Sequence, residues 1–261
     1  MAEIIVIANQ KGGVGKTTTT KNLGYCLKKN ENKKVLLIDY DEQKSLSYAL
    51  GFSDEEINGS FNIGDIMLSQ IDKKQKQEDI HKSIRSRYGV DIILGSSNIA
   101  LYELEYMNNN NTYITILKDA LEEIKDEYDY ILIDTNPSLK FTTLQALYCA
   151  DSIIIPNNPS ELSTKGFEEL LDKIMTISNI NTKLKIKGVL LTQVDYKVEK
   201  TDKIISAIRK NLKNKIYVFE TQIPANAKIA SSNNMKMPVQ EYNSRSWGAI
   251  AYKRLAKEII D

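Results

Sequence analysis

Residues 9–20 read Asn-Gln-Lys-Gly-Gly-Val-Gly-Lys-Thr-Thr-Thr-Thr, which places glycines, lysines and hydroxyls in one short run. Gly12, Gly13 and Gly15 let a backbone turn its N–H groups inward without a Cβ clash. An inward ring of N–H groups binds anions, phosphate above all. Lys16 is placed to reach the β- and γ-phosphates of a nucleotide, and the Thr17 hydroxyl to hold Mg²⁺. Lys11, Gly12, Gly13, Val14, Gly15, Lys16, Thr17 and Thr18 together make the expected cradle. The common pattern G-x-x-x-x-G-K-[ST] would put a glycine at position 10, where this chain has Gln10, and a second lysine, Lys11, starts the loop.

Carboxylates follow two apolar runs. Val35-Leu-Leu-Ile-Asp-Tyr-Asp41 ends in Asp39 and Asp41, which on an extended chain project the same way. One can serve the metal shell or support the loop, and the other can orient an attacking water. Asp41 is also suited to capping a following helix. Tyr130-Ile-Leu-Ile-Asp134 ends in a single acid, the arrangement that holds Mg²⁺ downstream of a phosphate loop.

These groups need strands and helices to position them. Apolar runs at 3–8, 35–39, 91–94, 130–134, 152–156, 186–192 and 216–219 predict strands. Amphipathic segments at 17–29, 43–50, 98–107, 112–127, 141–149, 160–178, 199–212 and 244–260 predict helices. The alternation predicts an α/β fold, a mostly parallel twisted sheet of about seven or eight strands with helices on both faces. Ligands in such folds bind beyond the carboxyl ends of the strands, which brings 12–17, 39–41 and 134–137 to one rim. Residues 51–90 are polar and read as an excursion with short helices.

The 261-residue chain is 42% hydrophobic, enough for a sizeable core, and has no apolar run that could span a bilayer. Its start leads directly into the first strand, without the pattern of a signal peptide. Cys26 and Cys149 are not paired in sequence and read as buried free thiols. Net charge is +1, but residues 183–261 hold sixteen Lys or Arg against seven Asp or Glu, so the remainder carries −8. A basic final third suits either a DNA-facing surface or ordinary solvated helix faces.

The loop Lys11-Gly-Gly-Val-Gly-Lys-Thr17 resembles the deviant Walker A motif of the ParA/MinD group of ATPases. Asp39-x-Asp41-x-Gln43, Tyr128–Thr135, Ala150–Pro156, Gly188–Thr192, Ile223-Pro-x-Asn226 and Pro238–Tyr242 make the ParA/Soj partition branch the nearer likeness. The resemblance spans essentially the whole chain and implies a single P-loop ATPase domain, 1–261, lacking the N-terminal helix-turn-helix domain of some relatives. It implies ATP and Mg²⁺ as cofactors, with Thr17, Asp39 and Asp134 around the metal. Lys11 would cross a dimer interface to the partner's nucleotide, Lys16 would bind phosphates in cis, and Asp41 would position water. Pro224 and Asn226 match a loop near the adenine, and Lys197 and Lys228 match positions that bind DNA.

Function follows as an expectation. The chain would be an ATP-dependent homodimer that binds double-stranded DNA non-specifically and hydrolyses ATP weakly until stimulated by a ParB-like centromere-binding protein. It would partition plasmid or chromosomal DNA from a cytoplasmic, nucleoid-associated position, with no membrane partner. The alternative is a MinD-like membrane-associated positioning ATPase, which needs an amphipathic C-terminal extension. The segment 246–261 is expected instead to dock on the core. Glu42 and Asn136 stand where the family usually has proline, which leaves the loops after Asp41 and Asp134 less constrained.

Overall fold

A computed structural model describes residues 1–71, 80–99, 113–137, 141–159 and 165–261. The strands are β1 (Glu3–Ile7), β2 (Val35–Tyr40), β3 (Ile84–Arg87), β4 (Val90–Ile93), β5 (Tyr130–Thr135), β6 (Ser152–Asn157) and β7 (Lys185–Leu191). They form one sheet in the order β3-β4-β2-β5-β1-β6-β7. Every neighbouring pair is parallel except β3 with β4. The helices are α1 (Lys16–Glu31), α2 (Ser45–Ala49), α3 (Asp54–Asn58), α4 (Ile63–Ile71), α5 (Ile116–Leu121) and α6 (Phe141–Cys149). They continue with α7 (Lys165–Ser178), α8 (Thr201–Leu212), α9 (Ala227–Asn234), α10 (Val239–Tyr242) and α11 (Trp247–Ile260).

The sheet is buried on both sides, and the period of two along each strand sorts its side chains. Ile4, Val6, Leu36, Ile38, Ile131 and Ile133 join one apolar cluster with α4 to α8. Ile5, Ile7, Leu37 and Leu132 join the other with α1, α2, α3, α10 and α11. Gly24 brings α1 against this second face, where an added Cβ would stand 2.5 Å from Leu37 Cδ2. The apolar side of α11, including Tyr252, Leu255 and Ile259, packs on Leu23 and Leu27 of α1. The expected docking of 246–261 is therefore what the structure has. Among the described residues no helix is long and apolar enough to cross a membrane.

Two expectations change, and a third falls outside the described residues. The polar excursion contains a strand, β3, joined to β4 by a two-residue hairpin turn. Tyr88 and Gly89 both have positive φ there, 55° and 75°, as the primed turns of hairpins require. The segment 216–219 does not form a strand of its own. It meets the edge of β7 in one parallel bridge, Val189 with Val218. The helix expected at 98–107 lies almost entirely outside the described residues, as do the starts of those at 112–127 and 160–178. Cys26 and Cys149 are free and buried, and burial pushes both thiols up to about 12.

Candidate nucleotide site

The phosphate loop leaves β1 and turns into α1. Gly13 and Gly15 sit at φ 76° and 89°, conformations that side-chain-bearing residues seldom adopt. Nothing lies within 4 Å of a Cβ built on Gly12 or Gly13, so the loop surrounds open space. Gly15 is the N-cap of α1 and has no side chain to satisfy the first N–H groups of the helix. Those donors and the positive end of the helix face the loop, as an anion site needs.

A cleft of about 400 Å³ opens over the loop. Its wall includes Gly12, Gly13, Gly15, Lys16, Thr17 and Thr18, and from other elements Asp41, Ser45, Thr135, Pro137, Gln193 and Asn233. Lys16 is buried, and its Nζ donates to the Lys11 carbonyl at 3.1 Å. Burial lowers the Lys16 ammonium from its ordinary value, while Asp134 and Asp41 oppose that shift. Lys11 itself is exposed.

β2 and β5 are adjacent and in register, with Asp39 opposite Asp134. Asp134 is fully buried. It accepts from Thr17 Oγ1 at 2.7 Å and from Thr20 Oγ1 at 3.3 Å. Burial and then the neighbouring Asp39 raise its carboxyl well above the carboxylate range. Asp39 is also fully buried, and burial is the main cause that pushes it up to about 7. Its Oδ2 accepts from Ser47 N at 2.7 Å and Ser47 Oγ at 2.6 Å, which ties α2 to β2. Its buried Oδ1 has no hydrogen-bond partner.

Asp134 and Asp41 thus lie near one buried ammonium, and Asp39, beside Asp134, carries an orphaned acidic oxygen. Two buried carboxyls held above the usual range fit a place for a divalent cation, whose charge would favour their ionised forms. Among the described residues no group of three or more His, Cys, Asp or Glu has the geometry to hold a metal. Mg²⁺ suits such a place, because it is commonly held by one or two protein oxygens together with substrate phosphates and water. Thr17 with Asp134 behind it could supply those oxygens, and Asp39 lies one strand further from the cleft.

Asp41 lines the cleft and also braces the turn into α2. Its Oδ1 accepts from Gln43 N at 3.0 Å and its Oδ2 from Ser45 Oγ at 2.9 Å. It faces the cleft, but it is not the cap of α2: Lys44 is the N-cap, without a side-chain cap bond, and Asp41 braces the turn that precedes it.

Pro224 and Asn226 stand apart from the phosphate cleft. They line a neighbouring groove of about 620 Å³ with Lys197, Trp247 and Arg254, among others. The Gln193–Val194 step separates the two, since Gln193 lines the cleft and Val194 the groove. Asn226 caps α9, its Oδ1 accepting from Lys228 N at 2.9 Å. Lys197 and Lys228 are exposed, with Lys228 Nζ 5.9 Å from the centre of the Tyr242 ring. The larger groove contains no phosphate-loop residue, so the smaller cleft is where the chemistry is.

Ser45, Gln193 and Asn233 belong to the cleft without any signal in the sequence. Each is an isolated polar residue, brought there by an element remote from the loop.

Comparison with known proteins agrees with this geometry. Residues 2–186 match the family described as an AAA domain. The chain is 36% identical over 260 residues to the sporulation initiation inhibitor protein Soj of Bacillus subtilis, covering 99% of this chain and 98% of Soj. It is 33% identical over 261 residues to the chromosome partitioning protein ParA of Myxococcus xanthus, covering 100% and 88%. Among solved structures, it resembles cobyrinic acid a,c-diamide synthase of Mycobacterium smegmatis with bound ATP analogue and magnesium. The TM-score is 0.82 at 25% identity, over 98% of this chain and 93% of the other. It also resembles the septum site-determining protein MinD of Pyrococcus horikoshii complexed with Mg-ADP. There the TM-score is 0.77 at 25% identity, over 99% and 96%.

Proposed function

Since the chain belongs to the ParA/Soj family of partition ATPases, we propose that it is an ATP-operated dimer switch that moves DNA. It is an ATPase of the partition and positioning class, and its cofactors are ATP and Mg²⁺. The observation that carries the finer reading is the meeting, in one cleft, of the positive-φ glycine loop, Lys16, the Thr17–Asp134 pair and Asp41.

Roles follow from chemistry. The loop N–H groups and Lys16 bind phosphate oxygens and offset their charge. Thr17 and Asp134 would hold Mg²⁺, with Asp39 adding negative field from the adjacent strand; the metal would supply neutralisation of the charge on the phosphates. Asp41 accepts a hydrogen bond from water and aims its oxygen at the γ-phosphorus. The water oxygen bonds to that phosphorus as the bond to the β–γ bridging oxygen breaks, the water's proton passes to the new phosphate, and ADP and phosphate leave. Lys11 belongs to a second function. Two copies facing each other bring two nucleotides together, and a cation given in trans relieves their repulsion. Pro224 and Asn226 contribute at the base end from the neighbouring groove.

The exposed Lys197 and Lys228 and the basic final third support a DNA-facing surface on the dimer. Residues 1–261 act as one ATPase domain, on the nucleoid in the cytoplasm, with a ParB-like centromere-binding protein stimulating hydrolysis. A MinD-type attachment through the last helix is disfavoured by one observation: the apolar side of α11 is already covered by α1.

DNA binding tests this reading. Lys197→Glu and Lys228→Glu each weaken binding while ATP-dependent dimerisation persists. A dimer using both lysines makes about four phosphate contacts, so raising salt from about 50 to about 200 mM weakens binding about 100-fold. Lysine–phosphate contacts carry no base information, so unrelated duplexes bind alike. The measurement is a salt series on several duplexes with ATP and with ADP. Salt-insensitive binding, or equal binding with ADP, would favour the membrane-positioning alternative.

A further inference from the structure

Behind the cleft sits a fully buried lysine. Lys21 lies one turn after Thr17 in α1, and burial lowers its ammonium to about 8. Among the described residues its acceptors are Asn233 Oδ1 at 2.8 Å and the Ala49 carbonyl at 3.4 Å, both neutral. Holding a cation in such a place is costly, and a merely structural site would be better filled by an apolar side chain.

The pairing has a geometric effect. A lysine ammonium only donates, so it can face only the oxygen of an amide. Lys21 therefore fixes the orientation of Asn233, with the oxygen toward Lys21 and the nitrogen toward Thr18, one turn nearer the phosphate loop on the same helix. Asn233 Nδ2 donates to Thr18 Oγ1 at 3.3 Å, a long contact, and both residues line the phosphate cleft. An amide nitrogen carries two N–H groups, and the second is left for an acceptor in the cleft.

We propose that Asn233 is a nucleotide-contacting residue whose amide N–H groups are aimed into the cleft by the buried Lys21, where they donate to an oxygen of the bound nucleotide. The inference rests on the ATPase reading and adds to it a residue from α9, the helix that also presents Lys228. Thr18, the neighbour of Asn233, directly follows the metal-binding position. The acceptor therefore belongs to the phosphate or ribose part of the nucleotide.

Asn233→Asp separates contact from structure. Aspartate keeps an oxygen for Lys21 and strengthens that pairing, but it removes the N–H donors and sets a negative charge beside the nucleotide. The expected result is at least about tenfold weaker binding of a non-hydrolysable ATP analogue with Mg²⁺, with Tm unchanged or raised. Asn233→Ala also weakens binding, and adding Lys21→Met to Asn233→Ala causes no further loss of affinity, because the lysine acts through the amide. With a 2′-deoxy analogue, an effect of Asn233→Ala that disappears assigns the ribose hydroxyl as acceptor, and one that persists assigns a phosphate oxygen. Wild-type binding together with loss in Lys16→Ala establishes the ATPase reading independently. Given those controls, wild-type affinity in Asn233→Asp would overturn the contact and leave the ATPase reading standing.

Discussion

Lys16→Ala abolishes ATP binding and with it the ATP-dependent dimer, whereas Lys11→Ala binds ATP as a monomer and fails to dimerise. The two lysines differ in what their neighbours need. Lys16 is buried beside Asp134 and Asp41, and its ammonium is the cation that the phosphates would meet in cis. Removing a buried partner of a charged ligand costs roughly 2–5 kcal/mol, a loss of roughly 30-fold to several thousand-fold in affinity. Lys11 contributes its backbone carbonyl to the monomer, accepting from Lys16 Nζ at 3.1 Å. Truncating its side chain leaves that backbone bond intact, so the cradle survives and the trans contact is lost. Sedimentation with a non-hydrolysable ATP analogue, alongside a binding titration, reads both effects. A Lys11→Ala protein that dimerises like wild type would remove the trans role and leave that lysine as a surface charge.

Asp41 is the second large expected effect. Its carboxylate has two local partners, Gln43 N and Ser45 Oγ, and also lines the cleft. Asp41→Ala therefore does two things: it removes hydrogen bonds that brace the turn into α2, costing about 1 kcal/mol of stability, and it removes the group that positions water. Turnover falls on the order of 10²-fold, while ATP binding persists and the dimer accumulates. Asp41→Asn separates the two contributions. It keeps an oxygen for the turn but loses the charge, so a stable protein with low turnover identifies the chemical role. Phosphate release measured with DNA and the stimulating partner present is the assay. Unchanged turnover in Asp41→Asn would reduce this residue to a brace of the turn.

The sequence disclosed most where local pattern and tertiary role coincide. β1, β2, β5 and β6 are nearly continuous apolar runs because both of their faces are covered, and so they were legible. The phosphate loop was legible because its glycines serve a backbone conformation and little else. β3 was hidden for the opposite reason. Ile-Arg-Ser-Arg is an edge strand facing water on one side, and polar residues there discourage further pairing. Its signal was the turn, Tyr88-Gly89, rather than the strand. The run 216–219 looks like a strand yet forms a single bridge to β7, with Phe219 packed closely over Gly188. An added Cβ at Gly188 would stand 2.8 Å from the Phe219 ring. Asn233 could not be read at all. It acquires its place through Lys21, 212 positions earlier, and no local spacing connects them.

The packing of α11 on α1 has a consequence in time. Thr19 and Tyr252, which meet at 3.5 Å, are 233 residues apart. A ribosome adds about 5–20 residues per second, so these two side chains emerge on the order of 10–50 s apart. For that interval Leu23 and Leu27 have no α11 to cover them and are exposed to water or to chaperones. A nascent or truncated chain can display the whole glycine loop and still lack the buttress that holds its helix in place. The glycine loop is made long before the helix that buttresses it.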